Sequence, residues 1–140
     1  MTPDETSALN RNNAARKTKG CPPLHWDANL AREATAYAQK LASTREMVHS
    51  GTKGEGENLY MTSPRNDPLD AGVKAWLDEA ANYHGQKIGE GDFGSYGHYT
   101  QCMWKSTTHV GLGHAKDSKG DIWVVGRFTP PGNWTGQKPY

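Results

Sequence analysis

The spacing of apolar residues changes character along the chain, and that change constrains the fold more than any other feature. Leu30, Ala31, Ala34, Tyr37, Ala38 and Leu41 recur every three or four residues, and so do Leu69, Val73, Trp76, Leu77 and Ala80. Each set is the stripe of a helix lying on a core. Between Val110 and Phe128 the pattern shifts to β-branched and aromatic runs, Val110–Ala115 and Ile122–Phe128, around Asp117-Ser118-Lys119-Gly120. That is the signature of a hairpin. Helices first and strands late predict an α+β layered architecture, and 140 residues suit one domain, not two. The domain is expected over 1–140, with a flexible start at 1–5 and a Pro/Gly-rich tail at 130–140.

Local signals sharpen the helices. Pro3, Asp4 and Glu5 open a breaker-free stretch to Thr18, with Gly20 to end it. Asp27 is placed as the N-cap of a helix over Ala28–Ser43, and Asp67-Pro68 supplies an N-cap and a first-turn proline for the next one. Gly85, Gly89, Gly91, Gly94 and Gly97 then predict an irregular loop around Ile88, Phe93 and Tyr96. A short fourth helix is expected over His98–Lys105.

Composition excludes several classes. Only 34% of residues are hydrophobic and twenty-four are glycine or proline, yet five Trp and six Tyr supply enough buriable surface to rule out disorder. Sixteen basic against fifteen acidic residues leave +1, so no field draws nucleic acid or an anionic membrane. No apolar run approaches the ~20 residues of a membrane span. Met1–Arg16 lacks the apolar centre of a signal peptide, which fits either a cytosolic chain or a mature secreted domain whose leader is absent. Cys21 and Cys102 are either a disulfide or two buried thiols; a bridge would close a loop of about 80 residues and add roughly 4–5 kcal/mol.

Six histidines among many carboxylates allow metal or acid–base chemistry. Trp76 and Glu79, three apart on one helix, set a carboxylate beside an apolar face, where it needs partners. Ser50 follows His49, but a serine next to glycine reads as a turn residue before a nucleophile.

Gly97-His98-Tyr99-Thr100-Gln101-Cys102-Met103-Trp104 resembles the GHYTQxxW signature of the CAP superfamily, which groups cysteine-rich secretory proteins, antigen five and plant pathogenesis-related proteins. Asn13-Ala14-Ala15-Arg16, Pro22-Pro23-Leu24 with Trp26, Gly56-Glu57-Asn58-Leu59-Tyr60, Trp76 with Glu79, Val110-Gly111 and Phe128-Thr129-Pro130-Pro131-Gly132-Asn133 follow in the family's order, so the resemblance covers nearly the whole chain. It implies a three-layer α-β-α sandwich with a central, mainly antiparallel sheet. The family's cavity tetrad falls on His49, Glu57, Glu79 and His98, and two imidazoles there could hold Zn²⁺ or another divalent cation, none of it obligatory. The departures are Asn12, where the family usually has His, and the small number of cysteines.

The resemblance also implies ligands. Ile88, Phe93 and Tyr96 occupy the place of a sterol-binding loop in fungal relatives, with Ile88 replacing an aromatic. Either these side chains form an apolar clamp, separate from the polar cavity, or they tuck inward and pin the loop. A fatty acid is the alternative lipid. Pro130–Tyr140 resembles a segment released as a signalling peptide from plant relatives, which would make a host or cell-surface receptor the partner. Asn133-Trp134-Thr135 is an N-glycosylation sequon. The expected whole is an extracellular, non-enzymatic module binding a sterol or small lipid in lipid export, defence or virulence, with a weak metal-dependent hydrolase as a rival.

Overall fold

A computed structural model describes residues 1–140. Four helices, α1 (Pro3–Thr18), α2 (Ala28–Thr44), α3 (Pro68–Asp78) and α4 (Gly97–Met103), combine with strands β1 (His25–Trp26), β2 (Gly56–Thr62), β3 (His109–Lys116) and β4 (Ile122–Thr129). The sheet order is β1-β3-β4-β2; β4 runs antiparallel to both neighbours, and β1 lies parallel to β3. The sheet is therefore mixed, with its two long pairings antiparallel as expected.

Strand alternation sorts the core into two layers. Ile122, Val124 and Phe128 of β4 join Val110, Leu112, Ala8, Leu69, Val73 and Trp76, the side covered by α1, α3 and α4. Trp123 and Val125 point the other way, onto Ala34, Ala38 and Leu41 of α2 and Leu59 of β2. Arg127 continues that α2-side row, and it is buried.

Helix starts are fixed as the sequence suggests, with one exception. The Asp27 carboxylate accepts from the amides of Asn29 (2.8 Å) and Leu30 (3.0 Å), capping α2. Asp67 makes no cap on α3 and instead takes Arg65 Nε at 2.6 Å. Asp4, reaching across from α1, accepts from Leu69 N (2.9 Å) and Asp70 N (3.0 Å) in its place. At the start of α1, within the segment expected to be flexible, Thr2 and Glu5 form a reciprocal capping box.

The Asn13–Arg16 motif is structural. Asn13 clasps both backbone groups of Leu24, and the buried Arg16 guanidinium donates to the carbonyls of Pro22, Cys102, Trp104 and Thr107. Burial lowers the Arg16 pKa from its ordinary value. These bonds satisfy the carbonyls at the end of α4, which has no residues left to pair them. Asn12 joins by donating to Cys102 O at 3.0 Å. Cys21 and Cys102 are separate buried thiols. The Cys21 thiol faces Met103 O and the Cys102 sulfur accepts from Asn58 Nδ2. Burial raises the pKa of both thiols.

Candidate functional site

At the end of the sandwich where α4 begins, a cavity of about 150 Å³ is lined by His49, Glu57, Asn58, Phe93, Gly94, Gly97, His98 and Asn133. A larger hollow of about 660 Å³, between the start of α1, α2 and β3, contains none of the expected site residues.

The cavity is built from two His–Glu pairs. Glu79 lies just past α3 and turns toward the start of α4. One of its oxygens accepts from the amides of His98 (3.0 Å) and Tyr99 (3.1 Å), while the other lies 2.8 Å from His98 Nδ1. One carboxylate thus caps α4 and orients the imidazole. Trp76 stacks on the His98 ring at 6.4 Å, and Asn58 donates to His98 O.

Glu57 projects from β2 toward the loop after α2. Its Oε1 lies 2.9 Å from His49 Nδ1 and accepts from Ser50 N at 2.9 Å; its Oε2 accepts from Ser50 Oγ at 2.7 Å. Arg127 Nε sits 2.8 Å from that second oxygen as an ion contact, without an aligned hydrogen bond, and Arg127 Nη1 donates to Glu55 at 3.0 Å. Burial pushes the Glu57 carboxyl up, but the hydrogen bonds from His49 and Ser50 and the Arg127 charge outweigh it and hold the pKa at about 2. Ser50 is therefore a clamp on Glu57: its hydroxyl hydrogen goes to a carboxylate, and no His stands as base to it.

With each Nδ1 engaged by a carboxylate, each histidine offers Nε2 to the cavity's occupant. No third His, Cys, Asp or Glu joins them in a metal-binding group. Two imidazoles suit a divalent ion of zinc's kind only as an exchangeable two-point site, short of the three or four protein ligands of catalytic and structural zinc.

The loop residues divide. Ile88 and Tyr96 are buried with Trp104, and Tyr96 OH donates to Glu90 O at 2.7 Å. Phe93 alone keeps substantial exposure, 39%, packed edge-on against Tyr96. A three-residue apolar clamp is thus not formed, because two of its members are spent on pinning the loop. Phe93 also lines the tetrad's cavity, so the apolar and polar sites share one mouth and are not separate.

Asn133, a sequon residue by sequence, is a cavity residue in the fold, and no local spacing signals that role. Its Nδ2 donates to Gly97 O at 2.9 Å and its Oδ1 accepts from Thr100 Oγ1 at 2.6 Å, so the amide a glycan would need is committed inward. Gln101 explains two motif glycines. A Cβ on Gly56 would lie 1.9 Å from Gln101 Oε1, and one on Gly132 would lie 2.6 Å from the Trp104 side chain and 2.9 Å from Gln101 Nε2. The Gln101 side chain threads between β2 and the tail, and Gly132 N donates to it at 3.0 Å. Arg127 and Glu55 went unnoticed because their partners lie 70 or more positions away in sequence.

Comparison with known proteins agrees with this geometry. The model of the Cysteine-rich secretory protein family, CAP, matches residues 9–128. The basic form of pathogenesis-related protein 1 of Nicotiana tabacum is 35% identical over 135 residues, covering 94% of this chain and 73% of the relative. The Golgi-associated plant pathogenesis-related protein 1 of Homo sapiens is 38% identical over 128 residues, covering 89% and 81%. Among solved structures, NaASP2 with Zn²⁺ superposes with a TM-score of 0.86 at 24% identity, covering 100% of this chain and 86% of that one. No helix here is long and apolar enough to cross a membrane. On the length and strength of these matches, the chain belongs to the CAP family, with pathogenesis-related proteins among its relatives.

Proposed function

We propose that this is an extracellular, defence-type binding module whose working part is the His49/His98 cavity, with Phe93 at its mouth as the apolar contact for a sterol or another small lipid. The observation that carries the reading is the shared mouth: the half-exposed Phe93 ring lines the same cavity as His49, Glu57 and His98. About 150 Å³ is below the usual volume of a pocket that engulfs a drug-sized ligand, roughly 300–1,000 Å³. A sterol would therefore lie across the mouth, with only its polar end directed toward the imidazoles. A divalent cation bound by the two Nε2 atoms would supply a positive centre for that end. The zinc in the NaASP2 structure supports a cation in the fold, and names of relatives such as pathogenesis-related leaf protein support the defence setting.

Binding of a labelled sterol, competed with free fatty acid and repeated in chelator, tests the reading. Phe93→Ala should weaken sterol binding by about ten- to a hundredfold, the effect of exposing a buried ring. Unchanged affinity in that variant sinks the assignment. The rival in which 130–140 is released as a peptide has to overcome a docked tail. Ile88 N donates to Gln137 O, Gly136 N to Ile88 O and Lys105 N to Pro139 O.

A further inference from the structure

We propose a second transition-metal site, remote in sequence from the tetrad, formed by His25 and His109 on neighbouring parallel strands. β1 is the edge strand of the sheet, and its register pairs His25 with His109. Register partners in a parallel ladder put their side chains on the same face. The two imidazole rings stand 5.6 Å apart, centre to centre, tilted by 45°. Two imidazoles sharing one ion at roughly 2.0–2.1 Å, with about 110–120° between them, have ring centres about 5–5.5 Å apart. The observed spacing lies just above that range. His25 is exposed and His109 half-buried, so an ion from solvent can reach them.

One ring has a hydroxyl partner at Nδ1. Thr108 Oγ1 has a carbonyl, Thr129 O, at 3.3 Å to take its hydrogen, and lies 2.8 Å from His109 Nδ1. When the hydroxyl gives its hydrogen to Thr129 O it accepts from Nδ1–H, and in that tautomer the His109 lone pair is on Nε2. A second partner holding Nδ1 is what orients histidine ligands in established sites. The donors are two neutral imidazoles with no carboxylate alongside. That set selects zinc, copper or nickel over magnesium or calcium and leaves the remaining positions to water. The expected site is weak and exchangeable.

Zinc titration followed by nuclear magnetic resonance separates this site from the tetrad. In the His98→Ala protein, which lacks half of the tetrad's imidazoles, Zn²⁺ should still shift the His25 and His109 ring signals in a saturable way. Adding His25→Gln or His109→Gln should weaken that transition at least tenfold, and Thr108→Val should weaken it severalfold through loss of the Nδ1 partner. Absence of a saturable shift at His25 and His109 in the intact protein would overturn the proposal, as would Gln variants that titrate unchanged. Failure of zinc at the tetrad would show instead in the His49 and His98 signals, leaving the two readings separately decided.

Discussion

The two His–Glu pairs look equivalent in composition and are built in opposite ways. Glu79 is held by helix geometry: its oxygens collect two amides of α4 and the His98 ring, and Trp76 stacks behind that ring. Glu57 is held by charge and by a loop: Arg127 flanks it and Ser50 clamps it, while the His49 side chain remains 62% exposed. Each half fixes its carboxylate and bonds its histidine at Nδ1, but only His98 is also backed by an aromatic ring. A cavity made this way has one rigid wall and one adaptable wall, which suits capture of a ligand better than the tight alignment that chemistry on a substrate demands.

The largest test of that contrast is Arg127→Met. It leaves Glu55 and Glu57 without their buried cation, and breaking a buried pair from one side costs about 3–5 kcal/mol. Urea unfolding should show a loss of that size, and a loss below about 1 kcal/mol would mean that charge does not hold this half. Acid probes the same wall. The Glu57 carboxyl is held at about 2 in the folded chain, against about 4.3 in an unfolded one. A depressed carboxyl contributes stability that is complete above the unfolded value and lost as pH falls through the folded one. Roughly 3 kcal/mol should therefore disappear between about pH 5 and 2, and Glu57→Gln should flatten that part of the stability curve. A profile that stays steep in the variant assigns the acid sensitivity elsewhere.

How legible each half was in the sequence follows from the same contrast. Helix periodicity and the Asp27 cap are local, and they placed α2 to within a residue of its observed end. The hairpin was equally local. The tetrad was legible only through the family motif, because no spacing rule brings residues 49, 57, 79 and 98 together. What was missed depends on distant contacts. Asp4 replaces Asp67 as the cap of α3 because α1 packs beside that helix. Strand β1 is two residues long and exists only as a rung on β3. Of the two readings of the 88–96 loop, the inward one holds for Ile88 and Tyr96, and the choice rests on distant contacts: the tail bonds Ile88 through Gln137 and Gly136, and Trp104 packs beside both side chains.

The helix-held wall is tested by Glu79→Gln. The amide oxygen can still accept from the start of α4, but its NH₂ cannot accept from His98 Nδ1. A charged acceptor becomes a neutral one and the ring must change tautomer or turn. Unfolding should register about 1–2 kcal/mol, the usual size of a weakened cap together with a lost charge-assisted bond. Zinc affinity at the cavity should fall as well, since Nε2 would then carry the proton. Loss of stability with zinc affinity intact would show that Glu79 caps α4 without orienting His98.

The smallest expected effect on stability is the most discriminating. His49→Ala removes a largely exposed ring, and Glu57 keeps Ser50 N, Ser50 Oγ and Arg127. Stability should change by no more than about 0.5 kcal/mol, as for an exposed pair. His98→Ala, by contrast, removes a ring stacked on Trp76 and bonded to Glu79, and should cost more. If both imidazoles serve one cation, the two variants should nevertheless lose zinc at the cavity to a similar extent, because a two-point site fails when either point is gone. Equal zinc loss with unequal stability loss is the signature of one rigid and one adaptable wall around a shared ligand. Equal losses in both measurements would erase the distinction and make the loop bearing His49 as structural as the helix bearing His98.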